Sequence, residues 1–278
     1  MVADAFSWNP VDDWQQLVQY EFMRHALIAG GISAVLCGAV GYFVVLRGLS
    51  FATDTLTHVG FAGASGAVVV GLSPLVGLLG LTAAMAAALG ALEERLRGRD
   101  VVIGMILVLS LGLGLLFLRL YSGYSNETYA LLFGAILALS VRDVVIVATG
   151  AAVGLVALAL LFRPLLFASV DDELAQARGV PVRAVSIGFL LVLAVAVSAA
   201  NQVIGALLAV ALLIAPAATA QRLTRRPAAT LLLSVGIALA VTWAGLAIAY
   251  WQPYPVSFFI TSLATLAYLA TRLLTAER

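Results

Sequence analysis

The stretch "VVIVATGAAVGLVALALLF", residues 144–162, runs for nineteen residues without a charge or a strong turn signal. An α-helix of about 20 such residues crosses the roughly 30 Å hydrocarbon core of a bilayer, and a helix satisfies all its backbone donors and acceptors internally. A transmembrane β-strand would instead show about ten residues of alternating polarity. Neither this stretch nor "LTAAMAAALGALEE" (residues 81–94) alternates, and both are rich in helix-forming residues. The fold follows: an all-α, polytopic membrane protein.

The rest of the chain has the same texture. Its 278 residues are 63% hydrophobic and 10% charged, and the mean hydropathy is +1.09. Apolar spans fall at 22–47, 52–71, 74–94, 100–121, 143–163, 184–200, 202–221, 228–250 and 256–273. Residues 122–142 have an apolar core too short to cross, so a re-entrant or interfacial outer helix is expected there. The expectation is eight or nine transmembrane helices plus that short one, and no soluble domain. Residues 22–274 form the membrane domain. Residues 1–21, with Asp4, Asp12, Asp13, Trp8, Trp14 and Tyr20, read as an interfacial segment and not as a cleavable signal peptide.

All fifteen basic residues are arginine. Without lysine the chain cannot build a P-loop, whose lysine reaches the β/γ-phosphates, nor a Schiff-base site. Cys37 is the single cysteine, so no intrachain disulfide or CxxC site exists, and it is expected to pack as a small hydrophobe.

Arginines cluster at Arg47, at Arg95, Arg97 and Arg99, at Arg163, Arg178 and Arg183, at Arg222, Arg225 and Arg226, and at Arg272 and Arg278. These sites alternate with the arginine-free connections "VGLSP", "SAANQ" and "YWQPYP". The positive-inside rule then places the N-terminus outside and the C-terminus in the cytoplasm. Arg119 and Arg142 are expected to snorkel to the outer headgroups. The longest polar inner loop, about 164–183, contains a short helix opened by Asp171, Asp172 and Glu173 and closed at Gly179 before Pro181.

Within the second span Asp54 and His58 stand four residues apart, one helical turn, and project from one face. A carboxylate in hydrocarbon costs a few kcal/mol or more and is normally met by a partner, a water-filled cavity or a metal. Carboxylate oxygen plus imidazole nitrogen is half a ligand set for a borderline divalent cation, and two copies about a two-fold axis would supply four ligands. Thr57 and Ser50 are second-line candidates, and Glu127, beside Asn126 on the outer segment, could draw cations to a vestibule. From chemistry alone, mutual pairing of Asp54 and His58 without any ligand is the competing reading.

Five stretches, "FMRHALIAG" (22–30), "GYFVVLRGLSFATDTLTHVGFAG" (41–63), "DVVIGMILVLSLGLG" (100–114), "DDELAQARGVP" (171–181) and "VIGALLAVALLIAPAATAQRL" (203–223), together resemble the membrane permease of bacterial metal-type ABC importers. The resemblance implies a cytoplasmic-membrane subunit moving Mn²⁺ or Zn²⁺, with Fe²⁺ a third candidate, and holding no permanent cofactor. It implies Asp54 and His58 as the transient metal ligands. It further implies a separate ATPase that binds ATP and docks on the segment containing Asp171, Asp172, Glu173, Leu174, Ala175 and Gly179. An extracytoplasmic metal-binding protein and a second permease copy complete the expected assembly in the lipid bilayer, with no nucleic-acid partner. The chain departs from the family's usual pattern at Thr55, Thr57, "GMILVLS" (104–110) and Ala135, which bears on the metal's identity. An ATP-independent divalent-metal channel and an intramembrane metalloenzyme are the rival classes.

Overall fold

The computed structural model describes residues 18–92, 99–120, 134, 136–252 and 254–275. Its elements are α1 (Glu21–Leu46), α2 (Ser50–Val69), α3 (Pro74–Leu92), α4 (Arg99–Leu120), a 3-10 turn (Ile136–Ala138), α5 (Val141–Val170), α6 (Asp172–Ala177), α7 (Val182–Ile204), α8 (Ala206–Leu223), α9 (Pro227–Trp251) and α10 (Val256–Thr275). Among the described residues there is no strand. Seven helices, α1, α3, α4, α5, α7, α9 and α10, are long and apolar enough to cross a membrane. The other two expected spans are occupied by α2 and α8.

Helices α1 and α7 form the centre, with most of each buried, while α4 and α5 lie at the periphery. Phe43 of α1 ties three helices together, meeting Phe162 of α5 and Phe189 of α7 edge-on at centroid distances of 5.6 and 6.0 Å. Cys37 is buried against α7, its sulfur 4.0 Å from the Ala196 carbonyl. Without a hydrophobic drive between helices in lipid, small residues and interhelical hydrogen bonds hold such bundles together. Ser234 of α9 donates to the Gly38 carbonyl of α1 at 2.7 Å. Where α2 crosses α3, Gly63 and Gly77 bring their backbones into contact, and a Cβ on either would strike the other's carbonyl oxygen.

Two sequence boundaries move. The apolar count ended the fifth span at Arg163, yet α5 continues through Pro164 to Val170, since a proline inside a helix removes one backbone donor and neighbouring packing absorbs the loss. The connection expected at about 164–183 therefore shrinks to 171–181. The polar "SAANQ" was read as an outer turn, but it is helical and the chain reverses at Gly205, whose φ of 86° few other residues tolerate. Of the expected outer helix, residues 121–133 and 135, including Glu127, lie outside the described residues, as do Trp8 and Trp14. What is described there is the short 3-10 turn, followed by a capping box in which Ser140 and Asp143 close the start of α5.

His25 lies near the start of α1. Its Nδ1–H donates to the Leu139 carbonyl at 3.1 Å, pinning the connection before α5 to α1.

Candidate metal centre

Helix α2 is the most polar membrane helix, and its polarity is largely satisfied within itself. The hydroxyls of Thr53, Thr57 and Ser65 donate to the carbonyls four residues back at 2.9 Å, and Thr55 does so at 3.1 Å. This back-bonding removes four hydroxyls from competition with lipid or ligand. What remains unabsorbed is Asp54 and His58.

Their geometry is specific. His58 Nδ1 lies 2.9 Å from the Asp54 backbone carbonyl and 3.5 Å from Asp54 Oδ1. A carbonyl only accepts, so the proton of that hydrogen bond sits on Nδ1 and the lone pair of the neutral ring sits on Nε2. A backbone carbonyl fixing one ring nitrogen is the usual way a ligating histidine is oriented. The Asp54 side chain is 37% exposed and that of His58 12%, on a helix otherwise mostly buried. The pair is thus brought together, half-open, with a carboxylate oxygen and a ring nitrogen unspent.

The second-line candidates are placed differently. Thr57 is fully buried; its hydroxyl is bonded to Thr53 and its carbonyl receives Asn201 Nδ2 at 3.1 Å. Ser50 is the first residue of α2, half-buried and one turn below Asp54. Sequence reasoning missed Asn201, which joins the C-terminal end of α7 to the peptide unit linking Thr57 and His58. A polar amide within an apolar run was the available signal. No cluster of three or more His, Cys, Asp or Glu residues exists among the described residues, so one chain alone offers an incomplete ligand set.

At the opposite side of the chain's chemistry, the 171–181 connection is folded. Asp171 caps α6 by accepting the Leu174 N–H at 2.9 Å, and Gly179 takes a φ of 80° after the helix. Ala175 is fully buried against Ala168 and Val182, whereas Leu174 is 45% exposed. Asp172, Glu173 and Gln176 are exposed on the same short helix.

The chain matches the ABC 3 transport family over residues 19–275. It is 30% identical to the manganese transport system membrane protein MntC of Halalkalibacterium halodurans, over 77% of this chain and 73% of that one. It is 27% identical to the high-affinity zinc uptake system membrane protein ZnuB of Haemophilus influenzae, over 75% of this chain and 80% of that one. Its fold is similar to a solved structure, PsaBC from Streptococcus pneumoniae in complex with Fab, with a TM-score of 0.85, 28% identity, and coverage of 94% of this chain and 95% of that one. A chain with this helical bundle, these relatives and no P-loop is a transport subunit and not an enzyme: it belongs to the ABC 3 transport family, as a membrane permease of the metal-type ABC transporters.

Proposed function

We propose that this permease imports a divalent transition-metal ion, Mn²⁺ or Zn²⁺ with Fe²⁺ as the third candidate, and that Asp54 and His58 hold the ion in transit. The observation that carries this reading is the His58 ring: with Nδ1 committed to the Asp54 carbonyl, Nε2 is left as a ligand beside a half-exposed carboxylate. One nitrogen and one oxygen per chain suit a second copy of the chain at a two-fold axis, giving four ligands. Manganese, zinc and ferrous ions all accept this donor set, so the set does not choose among them.

The rest of the assembly follows from the same reading. The chain crosses the cytoplasmic membrane nine times with its N-terminus outside, and the arginine-rich ends face the cytoplasm. A separate ATPase docks on the exposed face of α6 around Leu174. An extracytoplasmic binding protein delivers the metal to the outer end.

Uptake of Mn²⁺ and Zn²⁺ into vesicles containing the permease–ATPase complex tests the reading. Asp54→Asn and His58→Ala should each abolish uptake while the ATPase remains bound and hydrolyses ATP at its basal rate. Near-normal uptake in both variants would reduce the pair to mutual partners.

A further inference from the structure

At the end of the bundle where α3 and α5 begin and α7 ends, a cavity of about 370 Å³ opens between the first turns of α3 and α5. Both helices pack on α7, and the cavity lies between them. The walls are apolar: Phe61 and Ala64 from α2, Leu75 and Leu78 from α3, Ile146 from α5. The mouth is charged, because Arg142 and Asp143 stand on the first turn of α5.

These two charges have no ionic partner among the described residues. Asp143 is held by neutral groups: Ser140 N and Oγ donate to Oδ2 at 3.0 and 2.6 Å, and Gln202 Nε2 donates to Oδ1 at 3.4 Å. On the floor, Asn201 is 4% exposed. Its nitrogen is spent on Thr57, and its oxygen Oδ1 has no donor. That oxygen is sealed from the cavity, so the charged atoms an occupant can reach are those of Arg142 and Asp143.

The site therefore presents a guanidinium, a carboxylate and an apolar slot at the end of the bundle where α3 and α5 start. We infer that the crevice between α3 and α5 binds one phospholipid with a zwitterionic, primary-ammonium headgroup. The phosphate meets Arg142, the ammonium N–H groups meet Asp143, and an acyl chain lies along Leu75, Leu78 and Ile146. A quaternary choline carries the same charges but no N–H, so it makes no hydrogen bond to the Asp143 carboxylate. The inference stands apart from the metal reading, since Asp54 and His58 do not line this cavity.

The test uses the full permease–ATPase complex in vesicles of equal phosphatidylethanolamine and phosphatidylcholine, followed by mild extraction and native mass spectrometry. Wild type should retain one ethanolamine lipid per permease chain, preferred over the choline lipid on the order of tenfold for the extra hydrogen bonds. Leu75→Trp, which fills the slot, and Arg142→Ala, on an exposed residue whose loss spares folding, should each bring retention to background. Glycerophosphoethanolamine, the headgroup without chains, should not displace the lipid. Equal retention of both lipids, unchanged retention in either variant, displacement by the free headgroup, or Mn²⁺ held by a His58→Ala complex in place of lipid would each overturn the inference.

Discussion

Replacing Gly77 on α3 by alanine should destabilise the permease relative to the same replacement at Gly80, three residues further along the same helix. A Cβ at Gly77 would meet the Gly63 carbonyl oxygen and the Ala67 methyl group, whereas a Cβ at Gly80 meets nothing within 4 Å. Both changes gain helix propensity, about 1 kcal/mol. Only Gly77→Ala adds overpacking, which costs about 1–3 kcal/mol. The two variants should differ by that 1–3 kcal/mol, with Gly80→Ala at or above wild type. At about 2 °C per kcal/mol for a chain of this size, thermal melting of the purified permease should separate them by about 2–6 °C. Because the crossing also sets where α2 carries Asp54 and His58, metal uptake should fall in Gly77→Ala and persist in Gly80→Ala. Indistinguishable melting curves would refute the close α2–α3 crossing.

Charge on α6 should separate docking from folding. Leu174→Glu, on an exposed residue, should release the ATPase from a folded permease, while Ala175→Glu, fully buried, should lower the melting temperature of the permease itself; pull-down of the ATPase and thermal melting check both. Cysteines placed at Gln176 and Arg225 should resist an impermeant thiol reagent in intact cells, and rapid labelling of both would invert the proposed orientation. Asn201→Leu removes a hydrogen bond worth about 1 kcal/mol but also an orphaned oxygen costing about 1–3 kcal/mol, so melting should stay within about 1–2 kcal/mol of wild type. Its uptake rate should nevertheless drop, because the peptide before His58 loses its tie to α7. Unchanged uptake would assign Asn201 a packing role only.

Apolar run length located every long helix, because a bilayer admits little else, and residue spacing alone put Asp54 and His58 on one face. The ends were less legible. "SAANQ" was taken for a turn by its polarity, yet Asn201 and Gln202 find acceptors on α2 and α5 and remain helical, leaving the reversal to Gly205. Pro164 stopped the sequence reading of α5 while the structure continues past it. The contact of Gly63 with Gly77 depends on how two helices cross, and no period in either helix encodes it. Likewise, which nitrogen of His58 is committed follows from a backbone hydrogen bond and not from the four-residue spacing. The acids of α6 were legible as a helix start, but the burial of Ala175 against Val182 was not.

The central claim is a metal site shared by two chains, and metal content measures it directly. The permease–ATPase complex, trapped with a non-hydrolysable nucleotide and loaded with Mn²⁺ or Zn²⁺, should retain about one ion for each pair of permease chains, as four ligands drawn from two Asp54 and two His58 require. X-ray absorption at the metal edge should show mixed nitrogen and oxygen ligation, and His58→Ala should lose both ion and nitrogen signal. An ion retained at full stoichiometry by His58→Ala, or ligation without nitrogen in the wild type, would contradict the account.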